Sequence, residues 1–356
     1  MVATGRPSAT AAPTTTTPPK VSIAKRIGLG GGLLLALGAL AVLAFFSIAL
    51  GSRSITIGTV FDAFFDPSAI SPDLTVIRDM RVPRTLLAIA VGAALALGGT
   101  LLQGVARNPL ADPGVMGINA GAALAIVTAI MLIGVQSAGG YVWFAFIGAG
   151  ISTVLVYGLA ATGREGATPV KLALAGAAVT AVFSSVTSAV VLANVDALNE
   201  MRFWQVGALS GRFMPVFWQL APFLIAGSAL ALFAGRPLNT LALGDDVARA
   251  LGQPVALTRS ILFAIIAVLC GAATAAAGPI AFLGLMVPHI ARFICGPDYR
   301  WILPYSALLG PVLLLACDIT GRVVTAPGEL QVGVVIGIVG APAFIALARF
   351  RRLVQL

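Results

Sequence analysis

Charge is scarce in this sequence. Asp, Glu, Lys and Arg make up 10% of its 356 residues, against about 25% in an ordinary soluble chain. Lysine occurs only at Lys20, Lys25 and Lys171, and no G-x-x-x-x-G-K-[ST] loop is present. If ATP drives this protein, another chain must hold it. The single histidine, His289 in "LMVPHIARF", has no second His or Glu at metal-ligand spacing and reads as a structural hydrogen-bonder. It also lies far from any candidate nucleophile, so no Ser-His-Asp set can be assembled and no enzyme is expected. Cys270, Cys295 and Cys317 stand in or beside apolar runs without paired spacing. They read as small packing residues, neither disulfides nor metal ligands. No apolar run carries an acid near its middle, and Asp318 sits at an outer end. Proton- and sodium-coupled carriers commonly place ionisable groups inside the membrane, so that class is weakened; sodium sites made of carbonyls and hydroxyls stay open.

What fills the chain is apolar: 59% of residues are hydrophobic, with a mean hydropathy of +1.01. Uncharged runs of about 20 residues recur from residue 27 onward, each long enough to cross a bilayer. The expected class is all-α, a polytopic helical membrane protein. The formal charge of +9 does not suggest nucleic acid, because the cations are scattered between apolar runs instead of gathered on one stripe. Residues 1–26, rich in Thr, Pro and Ala, cannot bury enough surface to fold and are expected to form a disordered cytoplasmic tail. The run that follows exceeds the usual core of a signal peptide and counts as a first span.

Charges cut the remainder, 27–356, into uncharged runs at 27–52, 85–106, 113–163, 172–195, 213–235, 260–291, 301–317 and 330–348. The third is too long for one helix and breaks at "GVQSAGGY", 134–141. The 260–291 run carries "GPI" at 278–280, a stop-and-restart signal, and holds one span or two. Placement of Lys and Arg decides between them. Ten spans with both termini cytoplasmic put fifteen of these cations inside and seven outside, whereas nine spans divide them eleven to eleven. Ten spans are therefore expected.

Two segments between spans have character of their own. The outer stretch 53–83 contains "TIGTVFDAFFDP", which suits a short surface helix. The inner stretch 236–259, "RPLNTLALGDDVARALGQPVALTR", has helical periodicity: Leu241, Leu243, Val247, Ala250 and Leu251 cluster while Asp245, Asp246 and Arg249 face elsewhere. Gly244 and Gly252 divide it into two short pieces, a hinged pair fit to dock a soluble partner. A puzzle stands at "MRVPRTLLA", 80–88. If a helix starts with the uncharged run, Arg81 and Arg84 sit at its N-terminus, where the macrodipole disfavours cations.

Three stretches closely resemble one family: "RVPRTLLAIAVGAALALGGTLLQGVARNPLADPGVMGINAGA" (81–122), "RPLNTLALGDDVARALG" (236–252) and "GPIAFLGLMVPHIARFICGPDYRWILP" (278–304). "CDITGRVV" (317–324) and "ELQVGVVIGIVGAPAFIALARF" (329–350) extend the match. The chain from about residue 30 to its end resembles the FecCD-type permeases, which import iron–siderophore, haem or cobalamin through ABC transporters of the bacterial cell membrane. The resemblance implies the ten-helix fold of a type II ABC importer permease. It also implies a second copy or a paralogue across a central path, an ABC ATPase subunit below and an extracytoplasmic substrate-binding protein outside. No cofactor would sit on this chain, since ATP and Mg²⁺ belong to the partner ATPase.

Carried over by position, the resemblance makes Arg81, Arg84 and Arg322 the outer-face seats for acidic side chains of the binding protein. Arginine suits that role because it can grip a carboxylate bidentately; snorkelling to lipid phosphates is the plain alternative. Leu243, Gly244, Asp245, Asp246 and Arg249 correspond to the segment on which the ATPase pushes, with the three charged residues on its exposed face. The inner gate corresponds to Asn108 and Leu110 in "RNPLADPG" and to Thr168 in "GATPVK". At Thr168 the match weakens, because Pro169 stands where the family often has a second small hydroxyl residue. Asn108 serves equally well as a cap for a tight turn. Ferric siderophore is the favoured cargo, and an ion-coupled carrier of a small organic solute is the rival reading.

Overall fold

The computed structural model describes residues 23–51, 55–66, 71–135, 137–162 and 168–350. The expected tail lies outside them except for its last residues, which already belong to the first helix. Every regular element among the described residues is helical. In order these are α1 (Ile23–Ala49), α2 (Ile57–Phe65), α3 (Pro72–Thr75), a π-helical turn (Val76–Arg81), α4 (Val82–Ala106), a 3₁₀ turn (Pro113–Met116), α5 (Ile118–Ile133) and α6 (Ala138–Ala161). Then come α7 (Pro169–Ala193), α8 (Val195–Trp204), α9 (Met214–Phe233), α10 (Gly235–Ala242), α11 (Asp245–Ala250), α12 (Val255–Ala277), α13 (Leu283–Cys295), α14 (Tyr299–Val324) and α15 (Val332–Phe350).

Seven stretches are long and apolar enough to cross a bilayer, and α5, α13 and most of α15 are shorter apolar helices, ten in all among the described residues. Most of their bounds fall within a few residues of the charge-free runs, but α14 continues past residue 317 through Asp318 and Arg322 to Val324. The ambiguous run resolves into α12 and α13, broken at Gly278, whose φ of +74° a side chain would disfavour. The short helix expected within 53–83 is α2, opened by Thr56, whose hydroxyl accepts from the Thr59 amide at 3.4 Å.

The helix α4 is the buried axis of the bundle, touched by α12, α13, α14 and α9. Lipid tails are as apolar as leucine, so association here relies on close packing and buried polar pairs. At Gly99 the backbone of α4 rests on Gly284 of α13, leaving no room for a Cβ. A Cβ on Gly92 would come within 2.7 Å of Pro311 Cα in α14. Buried polar contacts fasten the same neighbours: Thr100 donates to Ser306 Oγ at 2.9 Å, and Arg292 of α13 donates to Gln103 Oε1.

One expectation needs correction. The helix bearing Arg81 and Arg84 does not begin at residue 85. It runs unbroken from Pro72 through the π turn into α4, capped by Ser71, whose hydroxyl accepts from the Leu74 amide at 3.2 Å. Both arginines therefore lie two or more turns inside, beyond the range of the N-terminal dipole.

Candidate functional site: an arginine-lined cavity and a hinged helix pair

At the start of α4 the arginines serve as caps for other helices. Arg81 Nη1 donates to the carbonyls of Ile48 (2.9 Å) and Ala49 (2.7 Å), the last turn of α1. Arg322 Nη1 donates to Ser47 O (2.9 Å) and Leu50 O (3.0 Å) at the same terminus. Arg78 does likewise for α2, reaching Ala63 O at 3.0 Å and Asp66 O at 2.7 Å. Helix C-termini present unpaired carbonyls with partial negative charge, so cations are favourable there. The puzzle in the sequence has a tertiary answer for Arg81, which with Arg322 and Arg78 completes two C-termini and opposes no N-terminus.

Asp318 fastens the cluster from beneath. It is fully buried, accepts from Arg84 Nε (3.1 Å) and Nη2 (2.8 Å), and pairs with Arg322 Nη2 at 3.0 Å. Arg84 Nη1, on the other edge of the fork, meets Glu329 Oε2 at 2.7 Å. Arg81, Arg84 and Arg322 are each no more than 8% exposed, so they are not the free pegs that an exposed docking patch would show. They do line a cavity of about 270 Å³, together with Glu329 and Arg212. Arg212, in the turn before α9, donates to Tyr141 Oη at 3.0 Å and stands 5.6 Å from that ring's centre. Among the described residues it has no carboxylate partner, and its buried Nε has none of any kind. Four cations, one acid on the wall and one beneath leave the cavity a formal +2, a setting that attracts carboxylates.

At the other end of α4, about 37 Å away at 1.5 Å per residue, lies the hinged pair. Gly244 joins α10 to α11 at φ +107°, a conformation open to glycine alone in practice. Leu238, Leu241 and Ala248 are buried, while Leu243, Val247 and Leu251 are 61%, 45% and 65% exposed. The exposed face is thus apolar, with Asp246 and Arg249 paired on it at 2.9 Å. Asp245 departs from expectation. It turns inward, accepting from Arg107 at the end of α4 and from Arg259 of α12 at 2.9 Å. Arg107 also donates to Leu241 O at 2.8 Å. Its left-handed φ of +46° is uncommon for a non-glycine residue, and both contacts hold it there. One carboxylate therefore ties the hinge to the two central helices.

The expected gate residues act as caps in this structure. Asn108 Oδ1 accepts from the Leu110 amide at 2.9 Å, and Thr168 Oγ1 accepts from the Lys171 amide at 3.4 Å, opening α7. Leu110 is 46% exposed. Beyond Leu110 the chain folds back along α4, and Asp112 shares a cavity of about 10 Å³ with Leu95 in mid-α4 and Thr274 in α12. That space suits one water. An acid does reach the middle of the bundle, carried by a turn and not by a span.

The apolar helices, the cation-lined cavity at one end of α4 and the hinged pair at the other describe a membrane transport subunit. The sequence profile of the FecCD transport family matches residues 39–350, and the chain belongs to that family. It is similar to the ferric enterobactin permease FepD of Escherichia coli K12, 46% identical over 333 residues, 92% of this chain and 97% of the relative. It is similar also to the iron(3+)-hydroxamate permease FhuB of Bacillus subtilis 168, 43% identical over 91% of this chain and 83% of that one. Among solved structures, an inward-facing ABC transporter assigned to the metal-chelate type superposes with a TM-score of 0.80 at 26% identity, covering 90% of this chain and all of that one.

Proposed function

We propose that this permease subunit carries a ferric siderophore into the cytoplasm, driven by ATP that a separate subunit hydrolyses. A second copy or a paralogous permease completes the path, and both termini face the cytoplasm. Relatives that carry iron chelates support the cargo. The observation that carries the reading is the placement of two unlike devices at the ends of one buried helix. The cavity of Arg81, Arg84, Arg212 and Arg322 receives an acidic side chain of an extracytoplasmic binding protein. The apolar face of Leu243, Val247 and Leu251, with Gly244 as its joint and Asp246 and Arg249 on its rim, seats the ATPase. Asp245 passes the resulting movement to α4 and α12. Asn108, Leu110 and Thr168 stand at the turns that close the inner end.

Removing the buried arginines would disturb α1, so a gentler variant tests docking. Ser210 lines the cavity without joining the ion pairs. Ser210→Asp adds a negative charge among the arginines while leaving each in place. Capture of the ferric-siderophore-binding protein by the ABC complex in nanodiscs should fall at least tenfold, with the elution profile unchanged. Equal capture would remove the docking assignment. The rival, an ion-coupled carrier, draws its support from Asp112; it requires uptake under an ion gradient with no ATPase present.

A further inference from the structure

Arg84 divides its fork between two acids in different positions. The Nε and Nη2 edge faces Asp318, which is fully buried in α14 and shared with Arg322. The remaining nitrogen, Nη1, is taken by Glu329 at 2.7 Å. Glu329 is less enclosed than Asp318. It lies in the connection between α14 and α15, its side chain is 30% exposed against 10% for that of Arg84, and it forms part of the cavity wall. The chain around it is anchored by its backbone, with the Leu330 amide donating to Gly321 O at 3.0 Å, so the turn is fixed by a contact other than the Glu329 carboxylate. In the open cavity, then, the nitrogen that an incoming carboxylate would meet on Arg84 is already occupied.

We propose that Glu329 is a resident counter-ion: it holds the seat on Arg84 that the binding protein's acidic side chain takes, and it is displaced when that partner docks. This rests on the reading of the cavity as a docking seat. Asp318 is shared by two guanidinium groups, so one cation would stay unbalanced in an enclosed place, and Glu329 supplies the second negative charge in the empty transporter. The exchange replaces one charge-assisted contact with another of the same kind. Arg84 therefore discriminates carboxylates from neutral groups while adding little net affinity, which keeps the partner releasable after each cycle. The remainder of the attraction falls to Arg212, whose guanidinium has no acid partner among the described residues.

Glutarate, a free dicarboxylate with the head group of a glutamate side chain, serves as the probe. The full chain in nanodiscs is titrated with it, thermal stabilisation is read, and glutaramide is the neutral control. Glu329→Gln keeps the size of the side chain and removes its charge, so the glutarate midpoint should fall roughly fivefold, the scale of one partly exposed ion pair. Glu329→Asp, which draws the carboxylate back from Arg84, should shift the midpoint the same way by less, and it substitutes if the glutamine variant fails to fold. Glutaramide should do nothing. A midpoint unchanged or raised in both variants overturns the counter-ion role. If that result comes with wild-type glutarate binding that Arg212→Gln weakens, the cavity remains a carboxylate seat and only this inference is lost. If glutarate stabilises no form of the chain and Ser210→Asp leaves capture intact, the docking reading falls with it.

Discussion

Asp318→Asn is the substitution the arginine cluster should tolerate least. The wild-type carboxylate is fully buried between two guanidinium groups, at 2.8 Å from Arg84 Nη2 and 3.0 Å from Arg322 Nη2. The amide keeps the shape and loses the charge. Arg322, 2% exposed, would retain only neutral acceptors, at Ser47, Leu50 and the backbone carbonyl of residue 318, while Arg84 would retain Glu329. Breaking a buried pair by removing one partner costs about 3–5 kcal/mol, and the surviving Glu329 contact argues for about 3 kcal/mol. On the scale of soluble domains, where 1 kcal/mol moves the midpoint by roughly 2–4 °C, that is a fall of roughly 6–12 °C. The assay is thermal unfolding of the purified chain in nanodiscs, followed by the loss of the monodisperse elution peak. Asp246→Asn is the control, because its side chain is fully exposed and should move the midpoint little. Adding Arg322→Met to the Asp318 variant should recover part of the loss, since the stranded cation is then gone. A midpoint equal to the control would refute the claim that Asp318 anchors the arginines.

Other outcomes follow from the same geometry. Asp245→Asn removes charge-assisted contacts to Arg107 and Arg259 that are partly exposed and worth about 1–2 kcal/mol together. The complex should assemble and hydrolyse ATP while chelate uptake per ATP drops severalfold, and undiminished coupling would reject the transmission role. Leu243→Asp and Leu251→Asp, on exposed apolar positions, should abolish co-purification of the ATPase without changing thermal stability. Gly99→Leu places a side chain where α4 rests on Gly284; membrane-inserted but aggregating protein is expected, visible as void-volume elution, and a normal peak would show that this contact has slack.

Helix number was legible because charge is nearly absent from the middles of the spans, so most cations and the Gly-Pro fell near helix ends, although α14 continues beyond residue 317 through Asp318 and Arg322. The break at Gly278 and the joint at Gly244 were legible for the same local reason. The start of the α4 segment was not. Arg78, Asp79 and Arg81 interrupt the apolar run, yet the helix passes through them because α1 and α2, distant in sequence, supply the carbonyls those arginines cap. Periodicity placed Asp245 on the exposed face, and long-range pairing with Arg107 and Arg259 turned it inward. Arg212 and Asp112 carried no local signal. Arg212 reaches the cavity from a turn, and Asp112 reaches mid-bundle only because the chain folds back after Leu110.

The central claim, that this chain is a permease powered by a partner and loaded through its arginine-lined end, is tested most directly by flux. The chain is reconstituted in vesicles with its ATPase and a binding protein carrying a radiolabelled ferric siderophore. Uptake should require ATP, the ATPase and the binding protein together. Accumulation of the label by the chain alone, under a proton or sodium gradient and without nucleotide, would contradict the account.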